Sequence, residues 1–302
     1  IGHACGHNII AAAGLGAGLA AALVAEELGG TVAILGTPAE EGGGGKEFMI
    51  REGAFADVDA AMMVHPADHD LRTMQTIAIH TMDVEYTGEA AHAAAAPQKG
   101  RNALDAAVLG YNNVAALRQH IRPDERIHGI FTSAGEKPNI VPDHTSAEWY
   151  VRSPTLGSLE PLKQRVVACL EAGAHAAGCT MSHHWNDPPK ADMLDNGPLL
   201  DLNVTNAAEL GRHTQESDEH AVVVGSTDMG NVSYAVPSIH PMIKVAPEGV
   251  AIHTPDFAYH ARSEDGDRAV VDGARAMAAT IVDCWIDAEA MTAIRGAFDP
   301  TP

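Results

Sequence analysis

The repeating pattern of this chain changes twice, and that constrains its fold more than any single motif. Residues 9–28 have the composition of a helix stopped by Gly29-Gly30, and Thr31–Leu35 (TVAIL) reads as a buried strand. A Gly-rich loop follows, then a short helix near Glu47–Glu52 and a second apolar run, Ala60–Val64. Near residue 77 the order becomes strand (76–86), helix (102–120), strands (126–132 and 145–152), helix (159–177) and strand (179–185). This is βαβ written twice, the split arrangement of a ferredoxin-like module. After Asn186-Asp187-Pro188-Pro189 the first pattern resumes, with a helix at 199–210, strand-like segments at 222–225 and 239–245, and a long amphipathic helix at 269–286. The expected fold is α/β: one domain of residues 1–76 and 187–302, interrupted by an α+β domain of residues 77–186.

Composition narrows the partners. The 302 residues carry 40 acidic and 19 basic side chains, a formal net charge of -21. Nucleic acid and anionic membranes both require a positive face, so neither is expected. The apolar stretch Ile9–Ala25 is rich in Ala and Gly and ends in Glu26-Glu27, which predicts a buried helix rather than a membrane span. Cys5, Cys169, Cys179 and Cys284 show no paired spacing. That pattern suits a reducing compartment, and the expected location is cytoplasmic. The sequence opens on Ile1 and enters a motif at once, so the N-terminal part of the protein is expected to be missing.

Several groups have the character of metal ligands. Cys5 and His7 stand two apart in a Gly-flanked turn before a helix, where thiolate and imidazole can face one transition-metal ion. The same turn reads equally as a Gly-rich bend with a buried thiol. Glu40-Glu41 follow the TVAIL run, at the strand end where open α/β sheets place their sites. A solvated acidic pair is the plainer reading. Gly42–Gly45 and Lys46 do not make a phosphate loop, because Glu40 stands where the first Gly is needed and Glu47 where Ser or Thr is needed. His65 ends the AAMMV run and His253 lies in AIHTPDF. Together, Cys5, His7, Glu41, His65 and His253 form a set that suits two ions with one shared ligand. In the inserted module, His92 lies among small residues that permit close approach to another group, and reads equally as a helix-capping or surface histidine; Asn139, in PNIVPD, is a further polar group there. Arg152 at a strand end reads as a carboxylate fork or as a surface ion-pair residue.

The motifs HACGHN, GTPAEEGGGGK, MVHP, GEAAHAAAAP with GRNALDAA, PNIVPD, GSTDMGNVS and IHTPDF occur in that order. The chain resembles the aminoacylase/carboxypeptidase family of paired-metal peptidases, in its amidohydrolase branch. That branch includes aminobenzoyl-glutamate hydrolase and dipeptidases acting on dipeptides with a basic C-terminal residue. The resemblance implies a metallopeptidase-type catalytic domain with an inserted dimerisation, or lid, domain. It implies two divalent metal ions per subunit, zinc first, with manganese, cobalt or nickel as alternatives, held by Cys5, His7, Glu41, His65 and His253. It makes Glu40 the general base acting on a metal-bridged water. His92 would reach the partner subunit's site in a homodimer, and Asn139 would bind substrate. The expected substrate is an N-acyl amino acid or a dipeptide. The competing expectation is a catalytically impaired, dimeric peptide- or metabolite-binding protein of the same fold. The resemblance also implies an upstream Asp-Ala-Leu-Pro strand whose Asp orients the ligands.

Overall fold

The computed structural model describes residues 2–216 and 225–301. The chain divides into two compact units, one running to Thr76 and resuming over Met193–Thr301, the other Ile77–Asp192. The first unit opens with α1 (His7–Leu28), α2 (Gly45–Arg51), β1 (Ala61–Met62) and β2 (His65–Ala67). The second comprises β3 (Ala78–Thr87), α3 (Ala103–Leu117), β4 (Arg126–Ser133), β5 (His144–Ser153), α4 (Leu156–Ala177) and β6 (Thr180–Trp185). The first unit then resumes with α5 (Gly197–Glu209), α6 (Met229–Ala235), β7 (Ser238–Ile239), β8 (Met242–Lys244), α7 (Pro255–His260), α8 (Glu264–Ile286) and α9 (Ala288–Gly296).

In the first unit, α1 starts and stops at left-handed glycines, Gly6 (φ 82°) and Gly29 (φ 68°). Ile9, Ala13, Ala17 and Ala21, four apart, form its buried stripe. Three of them share a core with Val64, Ile243, Val245 and Phe257. Small residues let α8 approach closely: a Cβ on Gly16 would lie 3.0 Å from that of Ala274. The helix is not buried all round, however. Leu15, Leu19 and Leu23 on its other face are 50%, 58% and 87% exposed. Among the described residues α1 is the one helix long and apolar enough to cross a membrane, yet its Ala stripe is packed in this core.

Two expected strands differ. Thr31–Leu35 pairs with no strand among the described residues, and Ile34 and Leu35 are exposed. An apolar run becomes a buried strand only where a neighbour satisfies its backbone. The AAMMV run does not continue as one strand into His65. Ala61–Met62 pairs in parallel with Ser238–Ile239, and His65–Ala67 pairs in parallel with Met242–Lys244. The expected strand at 239–245 divides correspondingly around His240-Pro241. Residues 222–224 of the other expected strand lie outside the described residues. Helices α6, α7 and α9 were not foreseen.

In the second unit one antiparallel sheet has the order β4-β5-β3-β6. Burial alternates along β3 and β5, so Met82, Val84, Tyr86, Trp149 and Val151 share a core with Leu162, Val166 and Leu170 of α4. Helix α4 begins with a capping box between Thr155 and Ser158. Helices α3 and α4 meet at glycines: a Cβ on Gly173 would lie 2.4 Å from the Gly110 nitrogen. The chain leaves this unit at 192/193 rather than at 186/187. Ile79 and Lys190 exchange both backbone hydrogen bonds, at 2.9 and 3.0 Å, which keeps residues 187–192 beside β3.

Candidate metal centre

The centre of the first unit is assembled from four separated stretches of chain. Gly6 takes φ 82°, and a Cβ there would lie 2.4 Å from Cγ of Pro66. Only glycine fits. That close approach sets Cys5 against the start of β2, with Sγ 3.4 Å from Nε2 of His65. His7 is the first residue of α1. His253 has φ 65°, uncommon for a residue with a Cβ, and its N–H donates to the Ala4 carbonyl at 2.7 Å. The remaining stretch is a tight turn: Ala39 has φ 61° and its carbonyl accepts from Gly43 N–H at 2.9 Å. Glu40 and Glu41 are carried on that turn. It follows a segment that pairs with no strand among the described residues, not the strand end expected from the sequence.

The side chains converge. His7 Nε2 lies 3.6 Å from Glu40 Oε2 and 3.6 Å from Glu41 Oε1, and His253 Nε2 lies 3.6 Å from the same Glu41 oxygen. Three groups each offer ligand atoms within 4.8 Å of one another: Cys5, His7 and His65; Cys5, Glu41 and His253; and His7, Glu40 and Glu41. Cys5 and His65 are buried, His7 and Glu40 half-buried, and Glu41 and His253 exposed. The site is therefore closed on the thiol side and open on the carboxylate side.

The electrostatics fit a cation. Burial, then the charges of Glu41 and Glu40, push the Cys5 thiol up to about 12. Burial also brings His65 down to about 4, opposed by its bond to the Pro66 carbonyl and reinforced by His7 and His253. A buried thiol beside two carboxylates and the lowered His65 imidazole is a setting that a bound cation would complement. Thiolate, imidazole and carboxylate donors are those that zinc and its neighbours accept.

Orientation is fixed from outside the cluster. His65 Nδ1 lies 2.9 Å from the Pro66 carbonyl, so Nδ1 carries the proton and Nε2 keeps its lone pair towards Cys5. His240 stacks on His65, with ring centroids 5.4 Å apart and planes at 25°. It is 1% exposed, and burial followed by the charge of His65 brings its pKa down to about 3. The sequence reading missed His240. A signal existed in the second apolar-His-Pro run, SIHP, which matches MVHP and whose Pro241 carbonyl accepts from the His65 N–H at 2.9 Å.

The other candidates belong to the second unit. His92 is exposed, and its Nδ1 accepts from the N–H groups of Ala94 (3.3 Å) and Ala95 (3.1 Å). With Nδ1 accepting, Nε2 is the ring nitrogen left to donate. Asn139 is its neighbour, since Ala93 N–H donates to the Asn139 carbonyl at 3.0 Å. Arg152 is not brought to this pair. It faces Ile79 near the start of β3, whereas the segment carrying His92 follows Thr87 at the other end, opposite His144. Eight residue steps along β3 separate the two ends, roughly 26 Å.

The chain matches peptidase family M20/M25/M40 over residues 1–283. It is 37% identical over 305 residues to Xaa-Arg dipeptidase of Mus musculus, covering 99% of this chain and 70% of that protein. It is 30% identical over 344 residues to one of the subunits of p-aminobenzoyl-glutamate hydrolase of Escherichia coli K12, covering 95% of this chain and 71% of that one. In fold it is similar to the YXEP protein of Bacillus subtilis, a dinuclear metal binding peptidase, with a TM-score of 0.69 at 18% identity. That likeness covers 93% of this chain and 72% of the other.

Proposed function

The chain belongs to peptidase family M20/M25/M40, and from that premise we propose that it hydrolyses the amide bond of a dipeptide or N-acyl amino acid, with Glu40 as general base. Cys5, His7, Glu41, His65 and His253 would hold two divalent cations. The observation that carries this reading is the set of three overlapping ligand groups, linked through Cys5, His7 and Glu41. Overlap is what two neighbouring cations with shared ligands require. The dinuclear metal site named for the YXEP protein supports the count of two. Zinc is the first choice for a donor set containing a thiolate.

The cations, when bound, supply Lewis acidity towards water and the scissile carbonyl. The protein's own groups do the rest. Glu41 falls in the group with Cys5 and His253, whereas Glu40 falls only in the group with His7 and Glu41. That difference favours Glu41 as ligand and Glu40 as the carboxylate that handles protons. Glu40 accepts a proton from the attacking water and passes it to the leaving nitrogen as the C–N bond breaks. The Nε2–H of His92 suits it to stabilise the developing oxyanion. Asn139, next to it, is assigned to substrate binding. Arg152, at the far end of the sheet, is left out of this group.

The second unit is taken as a ferredoxin-like dimerisation domain, which the antiparallel order β4-β5-β3-β6 supports. His92 then serves the partner subunit's centre. The name Xaa-Arg dipeptidase for the mouse relative makes dipeptides with a C-terminal basic residue the first substrates to try.

The test measures zinc content and amine release across a panel of dipeptides and N-acyl amino acids. Glu40→Gln should abolish turnover and leave bound zinc unchanged. Loss of zinc together with turnover would make Glu40 a ligand. A wild-type chain that binds zinc and cleaves none of the panel would favour a binding protein.

A further inference from the structure

Two stretches of sequence serve neither metal ligation nor proton transfer: the glycines ending in Lys46, and the segment from Asp228 to Asn231. They meet. Nζ of Lys46 donates to Oδ1 of Asp228 at 2.6 Å, and the backbone N–H of Lys46 donates to Oδ2 of the same carboxylate at 3.1 Å. Lys46 is 6% exposed and Asp228 is fully buried. One position along, Asn231 Nδ2 donates to Glu47 Oε2 at 3.0 Å. One carboxylate thus grips both the backbone and the side chain of the first turn of α2.

An ion pair this deep adds little net stability over an apolar pair of the same size, because two charges are stripped of water. Its value has to lie in geometry. Residues 42–45 are all glycine and have no side chains to hold them in place. On their N-terminal side the turn is fixed at Ala39, with φ 61°. On their C-terminal side Gly45 is pressed against the chain, since a Cβ there would lie 2.0 Å from the Pro38 carbonyl oxygen. Lys46 is the next residue and the first side chain after Glu41. We infer that the Lys46–Asp228 pair is a positioning device, clamping the far end of the all-glycine segment so that Glu40 and Glu41 face His7 and His253. The inference rests on the roles given above to Glu40 and Glu41. Lys46 and Asp228 act through the turn and touch no reacting atom.

The test uses the full chain with three variants: Lys46→Met, Lys46→Arg and the double variant Lys46→Met/Asp228→Leu. The double variant keeps the space filled with apolar groups and removes the grip, so it folds even if the single Met variant does not. Zinc affinity is measured by competition with a chelating dye, alongside kcat, KM and the thermal midpoint. Lys46→Met and the double variant should each lose about 10–100-fold in zinc affinity and in kcat, as removal of groups orienting metal ligands does. KM should stay near the wild-type value, and Lys46→Arg should recover most of the loss. A pair that merely joins α2 to α6 would shift the thermal midpoint and leave zinc affinity and kcat untouched, which overturns the inference. A wild type that neither binds zinc nor cleaves amides sinks the underlying reading and the clamp with it. A wild type that does both, beside a double variant that matches it, sinks the clamp alone.

Discussion

Sγ of Cys5 lies 3.4 Å from Nε2 of His65, although sixty positions of chain separate the two residues. The contact exists because Gly6 lets the N-terminal turn sit on Pro66. Cys5, like His7 and Glu41, belongs to two of the three ligand groups, and it is the buried one of the three, so its loss should disturb both groups it joins. Cys5→Ala is expected to lower bound zinc per chain and to cost more activity than the roughly 10–100-fold typical of orienting groups. Metal analysis after dialysis checks this. Full zinc content in Cys5→Ala would make the thiol a bystander.

His92 offers a test of its partner-subunit role. Glu40→Gln and His92→Ala should each be nearly inactive alone. Mixed after dissociation and reassembly, they should recover about a quarter of wild-type activity, since half of the dimers are hybrids with one intact site. Activity that stays at background after exchange, with hybrids shown by native mass spectrometry, would place His92 outside the partner's site.

Much of the centre was legible because its residues stand out locally. Cys5 and His7 are flanked by glycine, the Glu pair is adjacent, and His65 and His253 sit beside prolines or turns. The βαββαβ order of the second unit was equally readable, since its two central strands, β3 and β5, have partners on both sides and alternate in burial. What escaped depends on contacts between distant positions. His240 matters through its stack on His65, and Lys46 meets Asp228 across 182 positions. Thr31–Leu35 failed as a buried strand for the converse reason: an apolar run does not reveal whether another strand lies beside it. Helices α6, α7 and α9 are too short for their periodicity to stand above background.

Gly173 tests the packing of the second unit. A methyl group there would collide with the Gly110 nitrogen and the Ala106 carbonyl oxygen, at 2.4 and 2.5 Å. These are backbone atoms of α3 and cannot rotate away. Gly173→Ala should destabilise this unit by about 1–3 kcal/mol, the usual cost of overpacking, despite alanine's better helix propensity. Urea unfolding measures it. A stabilised variant would show that α3 and α4 can separate at no cost.

Asp195 carries a pH dependence. Burial raises its pKa from 3.8 to about 6, opposed by the Thr73 hydroxyl that donates to it and by Arg72. The folded state therefore holds a proton that the unfolded chain releases at lower pH. This contribution is fully present below about pH 4 and is lost as pH rises through 6. Asp195→Asn stays neutral throughout. It should gain on wild type as pH goes from 4 to 7, by up to about 3 kcal/mol. Unfolding curves at the two pH values give the difference. A gap that does not change with pH would mean that Asp195 is ionised in the fold.

One hydrogen bond reaches further than its size suggests. The N–H of Met193 donates to the Thr76 hydroxyl at 2.7 Å, joining the residues at which the first unit is left and re-entered. For that unit, the 116 residues from 77 to 192 therefore begin and end side by side. The entropy of closing so long a loop rises only as its logarithm, and once the inserted unit has folded its own paired ends have already met that cost. His65 and His253 then reach one another along a much shorter effective chain. Order of folding follows from this: the insertion should gain its protection against amide hydrogen exchange before the ligand-bearing segments do, and a short turn from Thr76 to Met193 should be able to replace it without unmaking the first unit.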